Sequence, residues 1–175
     1  MKIIICLVLF SLYLVIAQKE TSVVLLRHAE KALRGNNLSC KGLNRALLLP
    51  DLLVQKFGYF QVAYIPRPIT GHVTERIRML QTVTPTAVKY NLTINSAFKE
   101  RDVLDVAQDI LEFSLVLVVW ELHSLGNLTR ALGVPTGIEW NPLDFDSIWF
   151  VRHAGTNSAD LLILSQGLNN VSSKC

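Results

Sequence analysis

Residues 114–120, Ser-Leu-Val-Leu-Val-Val-Trp, constrain the fold more than any other stretch of the chain. They carry no charge and are rich in β-branched side chains, so neither face of a strand built from them can meet water. The run is much shorter than the roughly 20 residues a membrane-spanning helix needs. It reads instead as a strand covered on both faces, and Thr21–Leu26 is a second run of the same kind.

Helix-like stretches lie between such strands. Leu43, Ala46, Leu47, Leu53, Val54 and Phe57 recur near helical spacing, Gly58 supplies a stop, and Pro50 predicts a kink or a restart. Gln61–Ile65 reads as a strand. A helix is expected from about Thr74 towards Tyr90 with Pro85 inside it, and another over Asp102–Leu111. Ser124–Leu132 reads as a short helix stopped by Gly133, and Pro135–Asp146 as loop. Ser147–Arg152 and Asp160–Ser165 close the chain as strands, with a hairpin around Gly155-Thr156-Asn157. This alternation predicts an α/β three-layer sandwich, a mostly parallel central sheet with helices on both faces.

With 175 residues, half of them apolar, the chain fits one compact domain after processing, assigned to residues 18–175. Lys2, the uncharged run 3–16 and the small residues around Ala17 form a signal peptide over residues 1–17, with an uncleaved anchor as the alternative. The protein is then expected to be secreted, with no membrane association after cleavage. Asn37, Asn91, Asn127 and Asn170 begin glycosylation triplets. Cys6 departs with the leader, leaving Cys40 and Cys175 either as a bridge or as two thiols. The net charge of +3 comes from scattered bases, which gives no footprint for nucleic acid. Cys-x-x-Cys, His-Glu-x-x-His and phosphate-loop patterns are absent from the sequence, so nothing in it calls for a metal or cofactor.

Chemistry is most concentrated at Arg27-His28-Ala29-Glu30-Lys31, directly after the first strand. Loops and helix N-termini converge at the carboxyl ends of strands in such sheets. A histidine there can attack phosphorus, and a guanidinium can hold two phosphate oxygens at once. The same Arg-His-Ala triplet recurs at 152–154, where it reads as a hairpin turn.

Leu25–Lys31, Leu38-Ser39, Gly42 and Arg45-Ala46 together resemble the opening of the histidine phosphatase superfamily, whose fold is phosphoglycerate mutase-like. Tyr64–Pro68, Arg78-Met79-Leu80-Gln81-Thr82, Val118–Glu121, Leu132-Gly133 and Ser165–Leu168 continue the resemblance in the same order. It implies His28 as a nucleophile forming a phosphohistidine, with Arg27 and Arg78 as phosphate clamps. Arg78 is preferred to Arg76 because it alone has the Arg-x-x-Gln-Thr spacing.

The resemblance also implies a second catalytic histidine directly after Trp-Glu. Leu122 stands there, and His123 comes one residue later. Either a turn brings His123 into the site, or the second histidine is missing. Glu121 is the candidate acid, with Glu100 and Asp102 beside it, and Arg67 and His72 lie in a loop that could touch substrate. The implied activity is metal-independent hydrolysis of a small phosphorylated substrate, without a cofactor. The alternative is a catalytically impaired relative that binds an anionic ligand or a protein partner.

Overall fold

The computed structural model describes residues 20–71, 75–135 and 138–175. The leader assigned to residues 1–17, and His72, lie outside the described residues. Six strands and four helices follow one another as β1 (Thr21–Arg27), α1 (Cys40–Phe57), β2 (Val62–Tyr64), α2 (Ile77–Tyr90), β3 (Ile94–Asn95), α3 (Val103–Ile110), β4 (Leu115–Trp120), α4 (Leu122–Ala131), β5 (Ser147–Ala154) and β6 (Asp160–Ser165).

The strands form one mixed sheet of order β3-β2-β4-β1-β5-β6. β1 and β4 pair in parallel, as do β2 with β4 and β2 with β3, while the β5–β6 hairpin runs antiparallel beside β1. The apolar runs now have their reason. Val23 and Leu25 of β1, with Val116, Val118 and Trp120 of β4, pack against Val106 and Ile110 of α3 and Leu125 and Leu128 of α4. The alternate residues Val24, Leu26, Leu117 and Val119 pack against Leu49 and Leu53 of α1 and Met79 and Val83 of α2. Successive side chains point to opposite faces of a strand, so helices on both faces favour apolar residues at consecutive positions.

Connectivity places a crevice at the middle of this sheet. The chain leaves β1 through α1, on one face, and leaves β4 through α4, on the other. The carboxyl ends of these neighbouring strands therefore diverge, the arrangement that leaves room for a ligand in open α/β sheets.

Three local expectations change. α1 does not restart at Pro50 but runs unbroken from Cys40 to Phe57. The bond that the proline forgoes is outweighed by the buried Leu49 and Leu53, one on each side of it, which hold both halves of the helix on one sheet face. β3 escapes any periodicity argument because it is two residues long. α4 begins at Leu122, two residues earlier than the apolar spacing indicates, which puts Leu122 and His123 in its first turn.

The Ser-x-x-Gly motif at 39–42 acquires a mechanical meaning. Ser39 caps α1 by accepting the Gly42 N–H at 3.1 Å. A Cβ on Gly42 would stand 2.3 Å from the Glu30 carbonyl oxygen, so glycine is what lets the helix lie against the loop after β1. Cys40, in the first turn of that helix, is disulfide-bonded to Cys175, 135 positions away. Asn44 secures the same tail by donating from Nδ2 to the carbonyls of Ser172 and Lys174.

Candidate phosphate-transfer site

Register fixes the two central side chains. Arg27 pairs with Trp120 across the β1–β4 ladder, so the next residues, His28 and Glu121, emerge side by side at the crevice. The His28 amide donates to the Trp120 carbonyl at 3.3 Å, continuing the ladder one step.

The His28 ring is buried, only 5% exposed. Its Nδ1 lies 2.8 Å from the Ala29 carbonyl oxygen, which can only accept, so Nδ1 carries the proton and Nε2 keeps its lone pair. Burial lowers the imidazole pKa to about 4, and the positive charges of Arg78, Arg27 and Lys31 push the same way against the opposing Ala29 hydrogen bond. The ring is therefore neutral over most of the acidic range and all of the neutral range. Nε2 faces the Glu121 carboxylate, with Oε2 at 3.9 Å.

Two guanidinium groups flank this imidazole. Arg78, in the first turn of α2, reaches the Asn36 carbonyl from Nη1 at 3.4 Å and Glu121 Oε1 from Nη2 at 3.5 Å. Arg27 donates from Nη1 to the carbonyls of Pro142 (2.6 Å) and Asp144 (3.2 Å), and its guanidinium lies 3.9 Å over the Phe145 ring. The Nε atoms of both arginines are buried and have no hydrogen-bond partner among the described residues. Burial raises the Glu121 pKa above the ordinary range, and Glu100 adds to this; Arg78, Arg76 and His123 oppose it.

The Arg-x-x-Gln-Thr pattern is a brace as much as a clamp. Thr82, 1% exposed, accepts the Ala29 N–H at 3.0 Å and donates to the Arg78 carbonyl at 2.8 Å. Gln81 accepts the Leu38 N–H at 2.9 Å and donates to Asn37 at 3.0 Å. Arg78, Gln81 and Thr82 thus hold residues 29–38, the loop that follows His28, against α2. Arg45 fixes the same loop from α1. Buried to 1% exposure, it makes a two-pronged contact with Glu30 (2.8 and 2.9 Å) and also reaches Asp146 (3.2 Å) and Gln166 (3.0 Å). The supporting roles of Thr82, Arg45 and Asp146 are not assigned by the sequence motifs, although Arg45 and Thr82 lie within them.

Of the residues singled out from sequence, the structure brings His28, Arg27, Arg78 and Glu121 together. His123 is exposed and lines a hollow with Leu122, Gly126, Asn127 and Arg130 of α4. Leu122 is partly buried and packs against the core. Glu100 is engaged by Arg76 (3.0 Å) and Ser124 (3.2 Å), and Asp102 accepts the Lys99 amide at 2.9 Å. Arg67 is exposed and hydrogen-bonds the Ala97 carbonyl. The second Arg-His-Ala triplet lies at the other end of the sheet, where Ala154 pairs with Thr21 at the start of β1; it is the end of β5 rather than the turn itself, which follows at Gly155, and His153 contacts Glu20.

Comparison with family models finds no match, and comparison with curated proteins likewise finds none. Solved structures do match. The protein histidine phosphatase SixA complexed with tungstate aligns with a TM-score of 0.65 over 83% of this chain and 97% of that one, at 18% identity. Phosphoglycerate mutase from Plasmodium falciparum gives 0.52 over 86% and 92%, at 13% identity. Mycobacterial glucosyl-3-phosphoglycerate phosphatase with inorganic phosphate gives 0.51 over 82% and 95%, at 12% identity. The chain therefore has the α/β fold of the histidine phosphatase superfamily, the phosphoglycerate mutase-like fold. Within that fold it corresponds to SixA over nearly the whole of the latter's length.

Proposed function

We propose that the protein is a phosphomonoester hydrolase working through a phosphohistidine at His28. The observation that carries this reading is the convergence of a neutral, buried imidazole, its Nδ1 held by the Ala29 carbonyl, with the positive charges of Arg27 and Arg78. SixA and the mycobacterial phosphatase, solved with tungstate and with inorganic phosphate, lend it support by fold.

The chemistry follows from the geometry. An incoming phosphoryl group takes Arg78 from the Glu121 carboxylate and shares Arg27 from the other side. Its equatorial oxygens then face positive charge that needs no rearrangement at the moment of reaction. Nε2 forms a bond to phosphorus as the ester P–O bond breaks. The Nδ1–H···O=C bond to Ala29 stabilises the positive ring that results. Glu121, whose carboxyl holds its proton more readily because it is buried, protonates the departing oxygen. As a carboxylate it then takes a proton from the water that attacks phosphorus, releasing phosphate and neutral His28. No step of this route calls for a metal ion or cofactor.

Release of p-nitrophenol from p-nitrophenyl phosphate tests the proposal. Wild type should turn over, and His28→Ala should lose activity by about 10³-fold or more. Equal rates, or none from wild type, would remove catalysis from this residue. A second reading rests on Leu122, which puts an alkyl side chain where the resemblance calls for an imidazole. On that reading the site binds an anionic ligand or a partner without turnover, and Leu122→His should then create activity that wild type lacks.

Secretion belongs to the same proposal. A Cys40–Cys175 bridge persists in an oxidising compartment and is rare in reducing ones. Asn91 occupies an exposed left-handed turn that suits a glycan. Sequencing the amino terminus of the exported protein should find Gln18; an intact Met1 would contradict leader cleavage. Among the described residues, no helix is long and apolar enough to cross a membrane.

A further inference from the structure

A hollow of about 420 Å³ lies between the start of α4 and residues 138–142, directly beside the phosphate site. Leu122, Ile138, Trp140 and Pro142 give it apolar walls, and His123, Asn127, Arg130 and Glu139 give it polar ones. Three links register it on the catalytic groups. Leu122 follows Glu121 in the chain. The Pro142 carbonyl accepts Arg27 Nη1 at 2.6 Å. The Asp144 carbonyl accepts both Arg27 Nη1 (3.2 Å) and the Trp140 indole N–H (2.9 Å), so clamp and indole are anchored on one oxygen.

The hollow is also shaped and stiff. Trp140 is 4% exposed and stacks on Trp149 with ring centroids 4.6 Å apart, which fixes its plane. A Cβ on Gly126 would stand 2.5 Å from the Ile138 carbonyl, so glycine is what allows residues 138–142 to lie close against α4. Leu122 keeps the wall nearest the phosphate apolar where an imidazole would have made it polar. On the opposite side Arg130 donates to Asn127 at 3.2 Å, leaving a polar edge.

We propose that this hollow seats the alcohol side of the substrate, and that the site selects phosphomonoesters whose leaving group carries an aromatic ring. The inference deepens the proposed function and rests on it for the position of the phosphate. A flat ring would lie against the Leu122, Ile138 and Pro142 side chains, above the buried Trp140, while a polar substituent at its far edge would meet Asn127 and Arg130. Small polar leaving groups would leave the apolar wall uncovered and gain nothing from it.

Phosphonates separate recognition from catalysis because their carbon–phosphorus bond is not hydrolysed. Calorimetric titration of wild type should show phenylphosphonate binding about tenfold or more tighter than methylphosphonate. Asn127→Trp, at an exposed helix position, fills the mouth of the hollow. In protein made without glycosylation, so that Asn127 is bare in wild type, it should abolish the preference while methylphosphonate binding stays within about twofold, on the same burial argument. Equal affinity of wild type for the two compounds, or a preference that survives Asn127→Trp, overturns the proposal. Ring preference without any hydrolysis would remove the catalytic reading and keep the subsite. Hydrolysis without ring preference would do the opposite.

Discussion

Replacing His28 by asparagine should flatten the dependence of stability on pH. The folded imidazole has its pKa lowered from 6.5 to about 4, chiefly because the ring is buried. Between those values the unfolded chain binds a proton that the folded chain refuses, so stability falls as pH drops. Above 6.5 both states are neutral and the residue contributes no pH dependence. A shift of that size corresponds to about 3 kcal/mol lost between pH 7 and pH 4. Asparagine retains an N–H for the Ala29 carbonyl but does not titrate, so this share of the loss disappears. Urea unfolding of both proteins at the two pH values gives the difference directly, because the remaining groups titrate alike in each. Wild type should lose about 3 kcal/mol more than His28→Asn on acidification. If both lose the same amount, the ring is protonated in the folded state at its ordinary pKa, and the neutral-nucleophile argument falls with it.

Other consequences are open to equally direct measurement. Arg45→Ala should destabilise the fold by about 3–5 kcal/mol, since Glu30 and Asp146 would be left without their shared buried cation; a change under about 1 kcal/mol in urea unfolding would refute the bracing role. Reduction of the Cys40–Cys175 bridge should lower stability by about 2–5 kcal/mol, because the loop it closes spans 135 positions; thermal unfolding with and without reductant measures this, and unchanged melting would count against the bridge. Glu121→Gln should cut turnover about 10²-fold and remove the alkaline limb of the pH–rate profile. The sign follows from burial. The raised carboxyl pKa keeps the acid form to higher pH than an ordinary glutamic acid does, and activity declines as pH climbs through that value. A profile in the variant that keeps this limb would assign the proton to another group.

How much of this was legible beforehand depended on the kind of signal. The sheet could be read because Val23–Leu26 of β1 and Leu115–Trp120 of β4 are apolar without a break, and only two-sided burial rewards that pattern. Arg27, His28 and Arg78 could be placed because strand ends and a motif spacing carry them. The β1–β4 register could not be read. It is what sets His28 beside Glu121, and sequence alone left Glu121 level with Glu100 and Asp102. The early start of α4 was equally hidden, since Leu122 and His123 add nothing to the apolar period that marks the helix. Pro50 misled because local propensity was set against a buried row of side chains, and the row prevailed. The brace built by Thr82 was invisible for a simpler reason: a buried threonine has no pattern until its two hydrogen bonds are seen.

That threonine gives the nucleophile and its clamp a common fate. One hydroxyl bonds the amide that follows His28 and the carbonyl of Arg78, so α2 cannot drift from the sheet without dragging the imidazole's anchor along. A shift at the Arg78 backbone passes through two hydrogen bonds to the Ala29 N–H, in the same residue as the carbonyl that sets which ring nitrogen bears hydrogen. The imidazole and the guanidinium are thus positioned by one shared hydroxyl rather than by two separate supports.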